Sequence, residues 1–352
     1  MRKVFSTIHL KNIFILIIAF IAFIIITSLL IVGVGNNKNI NIHKDENKST
    51  VIKSVDNKSV IKYDLMPKVT KVKVFITKEN TIKEVNLEDY VTGVVASEMP
   101  VGFEIEAIKA QAVAARTYAL AHVAQLGGAG CKNGKGADVC DTVHCQVYMT
   151  KNERIKVWGR VKGEGYWNKI KNAVEATAGE VLTYNDNLVM EPYYFSTSSG
   201  KTENSEDVFT TSVPYLRSVE SPGEEKLKNT KSSKTFNYKE LSQIINNNYY
   251  NARVYASNIR NQVIIIDRTQ AGSVKNIKVG SITMTGSKFR TMLGLKSSNF
   301  IIKFNSSSLE IDCSGYGHDV GMSQYGADAM AKKGENYIDI LTHYYQGTAI
   351  SK

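Results

Sequence analysis

The chain has 352 residues, 43% of them hydrophobic and 22% charged, with a net charge of +11. That length and apolar content support a sizeable buried core in one or two domains and exclude a disordered or collagen-like chain. The basic excess suits an anionic wall polymer or membrane face, and equally a lysine-rich solvated surface; with no nucleic-acid-binding motif and no basic stripe interleaved with aromatics, it does not point to nucleic acid.

Residues 1–12 read as a short cytoplasmic tail. Residues 13–34 (IFILIIAFIAFIIITSLLIVGV) hold no charge, and a run of that length can cross a hydrocarbon layer of ~30 Å as one helix. No clear small-x-small cleavage site follows, despite Gly33 and Gly35, so the expectation is an uncleaved single-pass anchor. Arg2, Lys3 and Lys11 before the span are nearly matched by Lys38, Lys44 and Lys48 after it. A short basic N-terminus ahead of a large polar remainder places the main domain outside. Residues 35–69, rich in Asn, Lys and Ser and without apolar periodicity, read as a tether, leaving residues 70–352 for the body.

In that body, Lys71 to Thr77 alternates as a strand should, with Val72, Val74 and Ile76 on one face. Asn86 caps a predicted helix that buries Leu87, Val91, Val94 and Val95 and ends before Pro100. Glu104 to Leu126 has the longest helical pattern, and its alanines permit close approach of a neighbour. A Gly- and Cys-rich loop, 127–147, precedes a predicted helix over 166–178. Strands are expected at Val181 to Tyr184 and Leu188 to Ser196 around a turn at Asn185-Asp186-Asn187. A polar loop over 221–235 and a helix over 239–247 follow. Strands are then expected over 260–268, 273–285 and 300–304, with helices at 287–293, 322–333 and 337–345. No repeat period is visible, which gives an α+β fold, a mixed helix and strand body after one N-terminal transmembrane helix.

Glu98 stands between Val95 and Pro100 at a helix end, where a carboxyl with apolar neighbours can keep its proton near neutral pH and deliver it to a leaving oxygen. Taken alone, such a glutamate is more often a solvated residue. Arg116 follows on the Ala-rich helix, where its planar fork can orient Glu98, bind a sugar carboxylate or form a structural ion pair. The run from Ser196 through Ser198 to Glu203 concentrates hydroxyls after an aromatic strand, as a polysaccharide cleft does and as an ordinary polar turn also does. Glu203, Glu206 and Asp207 offer a second carboxylate, so a two-carboxylate hydrolase stays open. Ser323 with His318 and Asp319 is weak ground for a serine triad, because adjacency in sequence rarely gives the convergence a triad needs.

The segments SEMPVGFEIEAIKAQAVAARTYAL, YFSTSSGKTENSEDVF, VPYLRSV and GHDVGMSQYGADAMAKKG, in that order, resemble the stage II sporulation protein D family, and the likeness extends over about residues 70–348. That family comprises lytic transglycosylases of peptidoglycan and shares its fold with the amidase enhancer proteins. The resemblance implies that Glu98 is the catalytic acid and then base, that Tyr215 and Arg217 contact sugar, though Tyr215 reads equally as a packed strand residue, and that His318, in a glycine-flanked segment at a helix start, lines the cleft. It further implies cleavage of stem-peptide-free glycan strands to 1,6-anhydromuramoyl ends during engulfment, at the septal membrane of the mother cell, with the amidase stage II sporulation protein P and the membrane protein stage II sporulation protein M as partners. The competing expectation is a non-catalytic enhancer that binds and activates a cell-wall amidase.

Cys131, Cys140, His144 and Cys145 share one loop, a Cys₃His set suited to zinc, and CDTVHCQVY resembles the metal-binding form of this loop in anaerobic members of the family. Two demands oppose that reading. Exported cysteines more often form disulfides, and on a regular strand His144 and Cys145 would point to opposite sides.

Overall fold

The computed structural model describes residues 67–352 apart from 210, 225–226 and 228–229. The expected membrane-spanning segment at 13–34 and the tether up to residue 66 lie outside the described residues. No helix among the described residues is long and apolar enough to cross a membrane.

Strand β1 (Lys71–Ile76) pairs antiparallel with β2 (Thr81–Asn86), Lys71 opposite Asn86, and buries Val72 and Val74. Helix α1 (Leu87–Glu98) begins where the Asn86 side chain accepts the Glu88 N–H at 3.0 Å, and it stops before Pro100, as its sequence requires. Helix α2 (Ile105–Ala121) is buried on nearly every side, and α1 packs on it through the close approach that its alanines allow. It is shorter than predicted: the chain breaks after Ala121, and a separate 3₁₀ turn spans Ala124–Leu126.

The Cys-rich loop supplies β3 (Val139–Cys140), parallel to β1. Helices α3 (Lys151–Trp158) and α4 (Arg160–Ala176) form a hairpin, of which α4 buries Trp167, Ile170, Ala173 and Val174. In the hairpin of β4 (Val181–Tyr184) and β5 (Asn187–Leu188), Asn185 and Asp186 take φ of 50° and 61°, the paired left-handed values of a tight hairpin turn. The strand expected to run from Leu188 to Ser196 is broken, and pairing resumes only at β6 (Tyr194–Phe195).

After the short helix α5 (Ser205–Phe209), residues 231–314 build a second hydrophobic core. It holds β7 (Lys231–Asn237), α6 (Tyr238–Asn248), α7 (Ile259–Gln262), β8 (Val263–Arg268), β9 (Val274–Val279), β10 (Ile282–Thr285), α8 (Gly286–Leu293), β11 (Phe300–Phe304) and β12 (Ser308–Ser314). Its two sheets run β10-β9-β8 and β11-β12-β7, all antiparallel. Phe236, Leu241, Ile277, Phe289, Phe300 and Leu309 fill the space between sheets and helices. The predicted loop over 221–235 therefore ends in a strand: KSSKTFN lies at a sheet edge and fully buries only Phe236, so it lacks an apolar alternation. The single strand expected over 273–285 is the β9–β10 hairpin.

The chain then returns to the first core through β13 (Met322–Ser323), parallel to β6, followed by α9 (Gln324–Lys332), α10 (Tyr337–Tyr344) and β14 (Ala349–Ser351), which pairs with β4. Polar side-chain contacts run between the two cores. Asn299 donates to Ser199 at 2.9 Å, Thr269 to Glu203 at 2.8 Å and Ser297 to Asp319 at 3.2 Å.

Candidate active site and metal cluster

Glu98 occupies the last turn of α1, half-buried. Its Oε1 accepts the Val147 backbone N–H at 2.9 Å, and its Oε2 accepts weakly from Gln324 Nε2 at 3.5 Å. Burial raises the carboxyl pKa above the ordinary range even though both donors act to lower it. No cation pairs with it among the described residues.

The neighbours of Glu98 are held from below by Gln146. Its side-chain amide donates to the Tyr90 hydroxyl at 3.3 Å and the Ala115 carbonyl at 3.4 Å, and its Oε1 accepts from the Tyr194 hydroxyl at 2.8 Å. These bonds tie the Gln146-Val147 backbone to α1, α2 and β6 and so aim the Val147 N–H at the carboxylate. Gln324 is placed by the β6–β13 pairing and by Ser323, whose hydroxyl caps α9 by accepting the Gly326 N–H at 3.2 Å and donates to Glu224 at 2.9 Å. Sequence reading passed over Gln146, Val147 and Tyr194, and met Gln324 only inside a longer motif. The one local signal was that Gln146-Val147 directly follow the last cysteine of the loop.

Arg116 is not brought to Glu98. Its guanidinium is fully buried and forks onto Glu88, at 2.8 Å through Nε and 2.6 Å through Nη2, with further donation to the Val174 and Glu180 carbonyls. Glu88 is ten residues before Glu98 on the same helix, or about 15 Å along its axis. The structural ion pair is the arrangement adopted here, beside a cleft of about 610 Å³ lined by Glu88, Arg116, Leu120 and Lys352 and not by Glu98.

The remaining predicted contacts are dispersed. The Ser196 carbonyl accepts the Tyr325 N–H at 3.1 Å, which keeps Ser196 beside the start of α9 and near Gln324. Ser198 is buried, its N–H donating to Glu224 at 2.8 Å and its hydroxyl accepting from Gly200 at 3.1 Å. Tyr215 packs its ring 5.5 Å from that of Tyr184 and is nearly inaccessible. Arg217 is clamped bidentately to Glu206 at 2.8 and 2.6 Å and caps the Val213 carbonyl, latching α5. His318 sits among Tyr193, Phe195 and Phe209, with ring separations of 6.1, 5.7 and 5.4 Å, and desolvation brings its pKa down to about 4, so it is neutral. Its Nδ1 accepts the Val320 N–H at 3.2 Å. Gly321 closes this segment with φ of 80°, and a Cβ there would stand 2.0 Å from the Tyr193 carbonyl oxygen.

The same geometry removes the serine triad. Ser323 is committed to Glu224 and to the α9 cap while His318 bonds Val320, so no serine triad forms. Glu206 is paired with Arg217, Asp207 with Lys275 at 2.8 Å, and Glu203 is buried against Thr269; none of the three contacts Glu98.

The cysteine loop converges. Cys131, Cys140, His144 and Cys145 place one donor atom each within 4.8 Å of all the others, and His144 Nδ1 lies 3.4, 3.8 and 3.5 Å from the three sulfurs. Bonds of about 2.3 Å to sulfur and 2.0 Å to nitrogen at tetrahedral angles put ligand atoms about 3.5–3.8 Å apart, so the donor set fits one ion. Adjacent His144 and Cys145 can share it because the chain turns there, with Cys145 N–H donating to the Thr142 carbonyl at 3.1 Å. All four cysteines are free thiols, which leaves the ligand set intact. Two residues beyond Cys145, Val147 meets Glu98.

A carboxyl held in a desolvated niche beside a loop whose four donors could hold a metal, on a helical core with an inserted β-rich second core, defines a class that comparison identifies. The family profile described as stage II sporulation protein matches residues 76–184. Stage II sporulation protein D of Bacillus subtilis (strain 168) is 37% identical, over 94% of this chain and 92% of the relative, and that of Bacillus amyloliquefaciens is 39% identical over 80% and 78%. An amidase enhancer of Bacillus subtilis (strain 168) is 30% identical, over 74% of this chain and 40% of its own length. The chain belongs to the stage II sporulation protein D family.

Proposed function

We propose that the protein is a membrane-anchored lytic transglycosylase that cuts peptidoglycan glycan strands, preferring strands without stem peptides, during engulfment in sporulation. The observation that carries this reading is the Glu98 carboxyl, desolvated at a helix end with its pKa raised and the Val147 N–H donating to it at 2.9 Å. As a neutral acid, Glu98 gives its proton to the glycosidic oxygen as the bond to the anomeric carbon breaks. The resulting carboxylate takes the proton of the muramoyl C6 hydroxyl as that oxygen attacks the same carbon. The 1,6-anhydro ring forms, no water is consumed, and Glu98 ends protonated. The Val147 N–H and Gln324 hold the carboxylate between the two transfers.

Zinc suits the Cys₃His set, and its role here is to fix the loop that presents Val147. An anchor at 13–34 would hold the body on the outer face of the engulfing membrane. The partners in this reading are stage II sporulation protein P, which strips stem peptides beforehand, and stage II sporulation protein M in the membrane.

The test is digestion of stem-free glycan in heavy-oxygen water. Anhydromuramoyl ends without label are expected, and Glu98→Gln should lower turnover by about 10²–10⁴-fold while glycan binding persists. Labelled reducing ends would show a hydrolase instead. The similarity to an amidase enhancer supports a second reading, in which the protein binds and stimulates an amidase. Full stimulation by the Glu98→Gln variant, with no strand cleavage by wild type, would establish it.

A further inference from the structure

The α3–α4 hairpin stands out by what it leaves uncovered. Helix α3 buries none of its residues. At the tip, Val157 is 63% and Val161 98% exposed. Residues 154–163 carry Arg154, Lys156, Arg160 and Lys162 and no acidic residue. Lys156, Arg160 and Lys162 are exposed and have no ion-pair partner among the described residues, whereas Lys151, at the base of the hairpin, is paired with Glu164 at 3.0 Å.

The tip is nonetheless built. The Arg154 guanidinium lies 4.5 Å over the Trp158 ring, with its Nε unpartnered, and Tyr166 meets the same indole edge-on at 5.8 Å. Gly163 lets the two helices touch, since a Cβ there would stand 2.9 Å from the Ile155 side chain and 3.1 Å from its backbone. A stiff hairpin thus presents two bare valines, a half-buried indole and a ring of uncompensated cations.

We propose that this tip is a docking surface for an anionic lipid bilayer. A soluble polyanion would satisfy the cations but gains nothing from exposed valines. The boundary between headgroups and acyl chains accommodates both at once, with lysine and arginine at the phosphates and valine and tryptophan just beneath. Docking would orient the body against a membrane surface, a property separate from the chemistry at Glu98.

The experiment uses the full chain reconstituted in vesicles whose phosphatidylcholine carries brominated acyl chains, with or without phosphatidylglycerol. Trp158 and Trp167 are the two tryptophans, so subtracting the emission of a Trp158→Phe variant isolates Trp158. The expected result is quenching of Trp158 with phosphatidylglycerol and little without it. Neutralising Lys156 or Arg160 should lower the ratio of docked to undocked protein by about fivefold each. Val161→Asp should abolish quenching while cleavage of soluble glycan strands stays at the wild-type rate. Equal quenching in both lipids, or none in either, would overturn the proposal. So would a Trp158 response to soluble polyphosphate with no response to vesicles, which would mark the tip as a polymer-binding surface.

Discussion

At the scale of single residues, environment separates groups that look alike in sequence. Glu98 and Glu88 share one helix, yet only Glu88 has a cation. Because burial raises the Glu98 pKa in the folded protein, its protonated form is the one the fold favours. The stability this contributes is complete below the ordinary carboxylate range and is lost as pH rises through the raised value. Transglycosylation by a neutral acid should decline over the same window. Stability of wild type and Glu98→Gln, measured against pH, should therefore diverge as pH rises, with the variant the less sensitive. For Arg116, substitution by Ala strands Glu88 and two carbonyls that the guanidinium now satisfies, and should cost about 3 kcal/mol in denaturant unfolding. Cleavage per folded molecule should remain near wild type, since Arg116 acts at the opposite end of α1. A loss of catalysis without loss of stability would return Arg116 to the active site.

At the scale of elements, the loop over 127–148 links two features that are separate in composition. Its cysteines and His144 meet around one point, and its last residues carry the donor to Glu98. Cys145→Ser removes one ligand and the restraint two residues before Val147. Protein purified without added metal is expected to hold about one zinc per chain, and the variant should lose it, with faster amide exchange across Gly127 to Tyr148. Chelation should do the same to wild type. A wild type that binds no metal and shows a Cys131 to Cys140 bridge by peptide mapping would refute the metal reading.

At the scale of the whole described body, the buried apolar clusters of the two cores are separate, and hydrogen bonds and the Lys275–Asp207 ion pair run between their elements. Damage to one should leave the other largely intact. Leu309, fully buried in the second core, is a direct probe: Leu309→Ala should destabilise that core by about 2–5 kcal/mol. Metal content and the protection of α1 and α2 against amide exchange should hardly change. Equal loss of protection in both cores would show that they unfold as one unit.

Sequence alone determined the elements whose signals are local. Asn86 and Pro100 bound α1, apolar periodicity marked α2 and α4, and Asn185-Asp186 marked a hairpin, because capping, steric exclusion and left-handed turn conformations act within a few residues. It also brought Glu98 forward through the resemblance of its motif to a known family, and grouped three cysteines and a histidine that could hold a metal, since chemical type and spacing are written in the chain. Tertiary structure decided the rest. β7 emerges only through its pairing with the distant β12, because KSSKTFN buries too little to be read as a strand, whereas SLEIDCS of β12 carries its own alternation. Arg116 could be assigned to Glu88 only once α1 and α2 were packed, because a helix presents several faces and sequence does not say which end a long side chain reaches. Gln146, Val147 and Gln324 were illegible for the same reason. A carboxylate's donors are fixed by proximity in space, and here they come from a loop 49 residues away and a helix start 226 residues away.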